Sequence, residues 1–161
     1  IGVVDSSARD KSLALMRFAA AQSLPMFAME RRLVNKPLLI RNTGLNPGDV
    51  QTPAIQDIHN HRAWVVGRFH FAMALLVHGI PFAAQPTGVP KMQAMLNDAG
   101  LAGCVLPDNL GDLTPDAMQA AVQVALDSWD SNAMKRAEDY VEAARIKSDD
   151  MFARISALVS G

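Results

Sequence analysis

AWVVGRFHFAMALLVHGIPFAAQ, Ala63–Gln85, holds in one run the signals that decide the fold. AWVVG is a short apolar run closed by glycine, the pattern of a buried strand. Arg68 to His78 follows with helical spacing, and Phe69, Ala72, Met73, Leu76 and Val77 mark its expected core-facing stripe. IPFAA is a second strand after the Gly79 turn. A strand, a helix and a strand in so few residues form a parallel crossover unit, and the rest of the chain repeats the alternation.

Outward from this unit, IGVV is read as the first strand. DSSARDKSLALMRFAAAQ becomes a helix that Ser6, Ser7 or Asp10 could cap. LPMFAME and KPLLIRN are expected as the second and third strands across the charged turn RRLVN. TGLNPGDVQT is expected as loop, and PAIQDIHNHR as a short helix. After QPTGVP, KMQAMLNDA reads as a helix stopped by Gly100 in the left-handed conformation, and AGCVLP as the last strand. Thr114 followed by Pro115 and Asp116 starts another helix. From Ser131 onward, Met134, Ala137, Val141, Ala144, Ser148, Met151, Ile155 and Leu158 step by three and four, which predicts one long striped helix against a neighbouring surface. The strands are apolar without strict alternation, so the sheet is expected to be parallel and covered on both faces. The fold class is α/β, Rossmann-like.

Composition narrows the function classes. The chain has 161 residues, 50% apolar and 19% charged, with a formal net charge of −1. That is ordinary globular composition, expected as one domain over 1–161, with no basic footprint for nucleic acid. No apolar run reaches the ~20 residues of a membrane span, and no basic leader precedes an apolar core. The single cysteine, Cys104, lies among apolar neighbours and reads as a small core residue; lone-cysteine usage suits a reducing cytoplasm. An apolar strand starting at Ile1 carries the expectation of a chain cut from something longer.

Open parallel sheets bind ligands beyond the carboxyl ends of their strands. AWVVG-RFH lies at such an edge. Gly67 permits the turn, and the first amides of the following helix have no partner within it. Arg68 at that positive end is unfavourable by roughly 0.3–1 kcal/mol on dipole grounds alone. An anion would reverse the cost, because guanidinium binds phosphate or carboxylate in bidentate fashion. His70, in the first turn, would then be a general acid facing the same opening. The competing reading pairs Arg68 with a carboxylate on a neighbouring loop and His70 with a backbone carbonyl. The two readings stand level. Lys91 is a second cation at a helix start on the same edge. Asp5, Ser6 and Ser7 after the first strand either line the cleft or simply cap a helix. His59 and His61 lack further metal-ligand spacing and read as a solvated helix end, and His78 as a C-terminal cap, so no metal is expected.

Residues 65–101, VVGRFHFAMALLVHGIPFAAQPTGVPKMQAMLNDAGL, resemble the C-terminal portion of polysaccharide pyruvyl transferases. The shared pattern is an apolar strand, glycine, Arg-x-His at the helix start, Gly-x-Pro, a strand, and lysine before a Gly-Leu. Gly67, Arg68, His70, Gly79, Pro81, Lys91, Gly100 and Leu101 carry it here. The close match covers about a quarter of the chain. The resemblance implies a cytoplasmic transferase of two-lobed GT-B architecture for polysaccharide biosynthesis. It would move the enolpyruvyl unit of phosphoenolpyruvate onto a glycan or lipid-linked sugar. It implies Arg68 on the donor's phosphate or carboxylate, His70 as acid–base residue, and Lys91, Gly67 and Ser6 as further binding residues, with no cofactor beyond the donor substrate. It also implies a missing N-terminal lobe, toward which the final helix would cross, and an isolated lobe without turnover. Two alternatives keep the fold. One is a nucleotide-sugar lobe of a GT-B glycosyltransferase or epimerase, against which the absence of an acidic residue between Gln85 and Asp98 weighs. The other is a non-catalytic binding module using the striped helix.

Overall fold

A computed structural model describes residues 1–6, 8–29, 37–86 and 90–160. Five strands form one all-parallel sheet: β1 (Gly2–Ser6), β2 (Met26–Phe27), β3 (Val50–Gln51), β4 (Trp64–Gly67) and β5 (Phe82–Ala84), in the order β3-β2-β1-β4-β5. The helices are α1 (Arg9–Ala21), the short α2 (Pro37–Arg41), α3 (Phe69–Val77), α4 (Lys91–Asp98), α5 (Pro115–Asp127) and α6 (Ser131–Ser160). The expected Rossmann-like α/β class and the long last helix are both present.

Strand periodicity divides the core. Val3, Val65 and Ala83 point to a layer with Leu15, Met16 and Phe18 of α1 and Met118 and Val122 of α5. Val4, Trp64, Val66, Phe82 and Ala84 point to the opposite layer with Phe71, Leu75 and Leu76 of α3, Met92 and Leu96 of α4, and Ala133 and Ala137 of α6. Helices therefore cover both faces, which is why the central strands are apolar on both sides up to the Asp5 and Ser6 that end β1. Trp64 is fully buried, and its indole N–H donates to Ile58 O at 3.0 Å, so its one polar atom is satisfied. Gly100 takes φ +68° after α4, as expected of a left-handed helix stop. Thr114 caps α5 by accepting the Ala117 N–H at 3.3 Å.

Several elements differ from the sequence expectation. KPLLIRN is not the third strand: Pro37–Arg41 is helical, with proline in the first turn, where its missing N–H costs nothing. The third strand lies inside TGLNPGDVQT, expected as loop. It has only two residues at the sheet edge, Val50 inward and Gln51 outward, too few to carry a period. AGCVLP is mainly a 3-10 turn at Ala102–Cys104, and only Val105 bridges to Ala84 in parallel. PAIQDIHNHR is a 3-10 segment, Ile55–Asn60. RRLVN lies outside the described residues, as do Ser7 and Thr87 to Val89 of the QPTGVP loop. Ala8, without a side-chain cap, is the N-cap of α1, in place of Ser6 or Asp10.

Two helical faces are also revised. On α3 the buried residues are Phe71, Ala72, Leu75 and Leu76, while Met73 and Val77 are exposed. The helix is apolar all round, so periodicity could not choose its inner face. On α6 the stripe packs on the core through Ala137 and Val141, while Met134 and Ser148 are half-buried. Ala144 and Met151 are exposed, and the side chains of Ile155 and Leu158 lie outside the described residues. Between α3 and α6 runs an apolar groove of about 390 Å³ lined by Phe69, Met73, Val77, Met95, Tyr140 and Ala144 among others.

Candidate functional site

The strand order reverses its direction of growth between β1 and β4, and this is where an open α/β sheet leaves a crevice at the carboxyl edge. The ends of the two strands approach unusually closely. A Cβ built on Gly67 would stand 2.6 Å from both Cα and Cβ of Ser6 and 2.9 Å from Asp5 O. Only glycine lets β4 close against β1 here, and the closure brings Arg68 over Asp5.

Asp5 is fully buried. Its Oδ2 accepts from Arg68 Nη2 at 2.6 Å, and its Oδ1 accepts from Arg68 Nε and from the Met29 N–H, each at 3.1 Å. The carboxylate thus ties together the ends of β1, β2 and β4. Fork-to-carboxylate geometry of this kind is the strong form of the ion pair. Of the two readings of Arg68, pairing with a neighbouring carboxylate is the arrangement present, and Asp5 is that partner. Asp5 neither caps α1 nor presents its oxygens to the opening. Its burial makes Arg68 its necessary counter-ion, since an unpaired interior carboxylate is costly.

Arg68 is the N-cap of α3, and no side-chain cap covers the first amides of that helix. His70, in the first turn, is exposed, and its ring lies 5.5 Å from that of Phe69. Ser6 is buried. Its Oγ accepts the Ala8 N–H at 3.2 Å, while its own N–H donates to Ser12 Oγ at 3.0 Å. Lys91 is exposed at the first position of α4, whose N-cap, Pro90, provides no side-chain cap. Gly67, Arg68, His70 and Ser6 therefore lie together at the carboxyl edge between β1 and β4, with Lys91 at the start of the helix that follows the neighbouring strand β5.

The same edge contains two residues that sequence reasoning passed over. Lys11, in the first turn of α1, donates from Nζ to Pro86 O at 2.7 Å and to Asp108 Oδ1 at 3.1 Å. Gln85, directly after β5, is fully buried, and its amide nitrogen donates to the same Pro86 oxygen at 3.0 Å. The available signal was a polar residue ending the apolar run IPFAA.

The remaining histidines lie away from the crevice. His59 and His78 are exposed, with ring centroids 5.0 Å apart, and His78 is the C-cap of α3. His61 is not a solvated helix end. Its ring packs edge-on against Trp64 at 4.7 Å and against Phe27 at 5.7 Å. Burial, reinforced by the positive amino group of Ile1, holds the His61 pKa below its ordinary value, with Asp57 opposing. Among the described residues, no group of three His, Cys, Asp or Glu side chains is placed to hold a metal ion, and no helix is long and apolar enough to cross a membrane. Cys104 is buried, and burial pushes its thiol up to about 12.

The fold is that of a Rossmann-like α/β unit. Comparison with models of known protein families gives no match, and comparison with curated proteins gives none either.

Proposed function

We propose that the chain is the C-terminal lobe of a GT-B-like pyruvyl transferase that moves the enolpyruvyl group of phosphoenolpyruvate onto a sugar of a cell-surface or exported polysaccharide. The observation that carries this reading is the convergence of Gly67, Arg68 and His70 on an uncapped helix N-terminus at the sheet's reversal point. The amides of α3 and the ammonium of Lys91 supply positive potential for the phosphate and carboxylate of the donor. Asp5 holds the Arg68 fork in one orientation, so this cation is positioned before any ligand arrives. His70, exposed beside it, is the proton donor to the enolpyruvyl methylene carbon as a sugar hydroxyl attacks the adjacent carbon and returns its proton to His70. A second hydroxyl of the same sugar then displaces inorganic phosphate, which leaves with that hydroxyl's proton, and closes the ketal. Gly67 and Ser6 shape the floor. The groove between α3 and α6 receives the second lobe in this reading.

Calorimetric titration of the chain with phosphoenolpyruvate, beside a uridine nucleotide sugar, tests the proposal. Weak saturable binding of phosphoenolpyruvate, reduced by Lys91→Ala, is expected, with no ketal formed by the lobe alone. Binding of the nucleotide sugar in place of phosphoenolpyruvate would overturn it.

A further inference from the structure

We infer that His59 and His78 form a chelating site for a borderline transition-metal dication of the Zn²⁺ type, at the end of α3 remote from the crevice. The inference does not depend on the transferase reading. His59 precedes β4 and His78 is the C-cap of α3, so no ligand spacing joins them in the sequence and only the fold brings them together. Their ring centroids lie 5.0 Å apart, with the planes at 87°. A metal bonded to an imidazole nitrogen at about 2.0–2.1 Å sits about 3.2 Å from the ring centre. Two rings sharing one ion, at angles between square and tetrahedral, therefore have centres about 4.5–5.2 Å apart. The observed spacing falls inside that interval. The angle between the planes is no obstacle, because each ring turns freely about its bond to the metal.

Both imidazoles are exposed, and among the described residues neither makes a hydrogen bond or ion pair. Their nitrogens are thus available, and the side chains can turn them toward a shared ion. The backbones beneath are held. Ile58, beside His59, is fully buried, and its carbonyl accepts the Trp64 indole N–H at 3.0 Å. The His78 N–H donates to Ala74 O at 3.1 Å, and the Ile80 N–H donates to Leu75 O at 2.9 Å. Two ligands on anchored supports lose little freedom on binding. His78 also lies at the carboxyl end of α3, where the helix dipole favours a cation. The donor set selects the ion: imidazole suits Zn²⁺, Ni²⁺ and Cu²⁺, whereas Mg²⁺ and Ca²⁺ take oxygen ligands. Water fills the remaining coordination positions. Such an ion joins the segment that enters β4 to the end of α3, about 15 Å along the helix from Arg68.

The test titrates the 15N-labelled chain with Zn²⁺ alone in a non-chelating buffer, following the imidazole signals of all four histidines, with Mg²⁺ as the hard-ion control. The His59 and His78 signals are expected to shift together and saturate at one ion per chain, while Mg²⁺ moves neither. Zn²⁺ should also raise the urea midpoint, because it binds a pair that exists only in the folded chain. His59→Asn and His78→Asn should each weaken Zn²⁺ by about tenfold or more, since either change removes the chelate. Without metal both variants should keep the wild-type urea midpoint, as exposed substitutions do. A Zn²⁺ response at only one of the two rings, or at neither, overturns the inference. So does wild-type Zn²⁺ affinity in either variant, and the rings then meet as an edge-to-face contact only. The wild-type titration is decisive by itself if a variant fails to fold.

Discussion

Removing Arg68 should cost far more stability than its position at a helix start implies. Its side chain is 21% exposed and that of Asp5 is 0% exposed, so the two ends of the ion pair are unequal. In Arg68→Met the Asp5 carboxylate stays sealed in the sheet and, of its three hydrogen bonds, keeps that from the Met29 N–H. Leaving one member of a buried pair unmatched costs about 3–5 kcal/mol. Asp5→Asn is milder, because the amide oxygen still accepts from Met29 and the guanidinium can turn toward water. About 1–3 kcal/mol is expected. The double variant has neither orphan charge, and should be more stable than the sum of the single losses predicts by at least about 1 kcal/mol. Urea unfolding with a common m-value measures all four corners of the cycle. Additive losses, or an Arg68→Met cost within the ~0.5 kcal/mol of an ordinary surface change, would refute the placement of this pair.

Gly67→Ala should destabilise by about 1–3 kcal/mol through overpacking, because its Cβ would stand 2.6 Å from the Ser6 backbone. Gly48→Ala, with nothing within 4 Å, is the control that should leave the urea midpoint in place. The lowered pKa of His61 means that the unfolded chain binds its proton more readily than the folded one. Stability from this residue is complete above the ordinary histidine value and is lost as pH falls through the folded pKa. His61→Phe should flatten that slope in urea titrations at stepped pH, and an unchanged slope would contradict the half-buried placement against Trp64. Cys104, with its thiol raised to about 12, should resist a thiol reagent in the native state and react at the unfolding rate or on addition of urea. Rapid labelling of folded protein would contradict its burial.

The class of fold was legible because three of the strands, the central β1, its neighbour β4 and β5 at one end of the order, are apolar runs bounded by glycine or polar turns. IGVV, AWVVG and IPFAA correspond to these three. The opposite edge was not legible. β3 has two residues, one buried and one exposed, and in so short a run helix and strand periods coincide. KPLLIRN shows the converse: an apolar run of strand length that becomes a helical turn because proline is tolerated at its start. The inner face of α3 was hidden for a different reason. FHFAMALLV is apolar on every side, so its orientation is set by which neighbours arrive, with Trp64 and Phe82 below and Tyr140 and Val141 beside it.

At the crevice, position was readable and pairing was not. Gly67, Arg68 and His70 sit together because they are consecutive, whereas Asp5 reaches Arg68 only through the β1–β4 register, in which Val4 pairs Val66 and Ser6 pairs Gly67. That register follows from the close approach at Gly67, a contact that involves residues more than sixty positions apart. The cation at the positive end of α3 thus has a fixed counter-charge from a neighbouring strand, which offsets the unfavourable dipole interaction before any ligand is considered. In the proposed reading, an anion at this edge draws its attraction mainly from the backbone amides and from the exposed Lys91, because the Arg68 guanidinium is already engaged by Asp5. That reading makes binding sensitive to Lys91 through charge and to Arg68 through geometry. Asp5 acts on both indirectly, because its carboxylate holds the guanidinium through two hydrogen bonds.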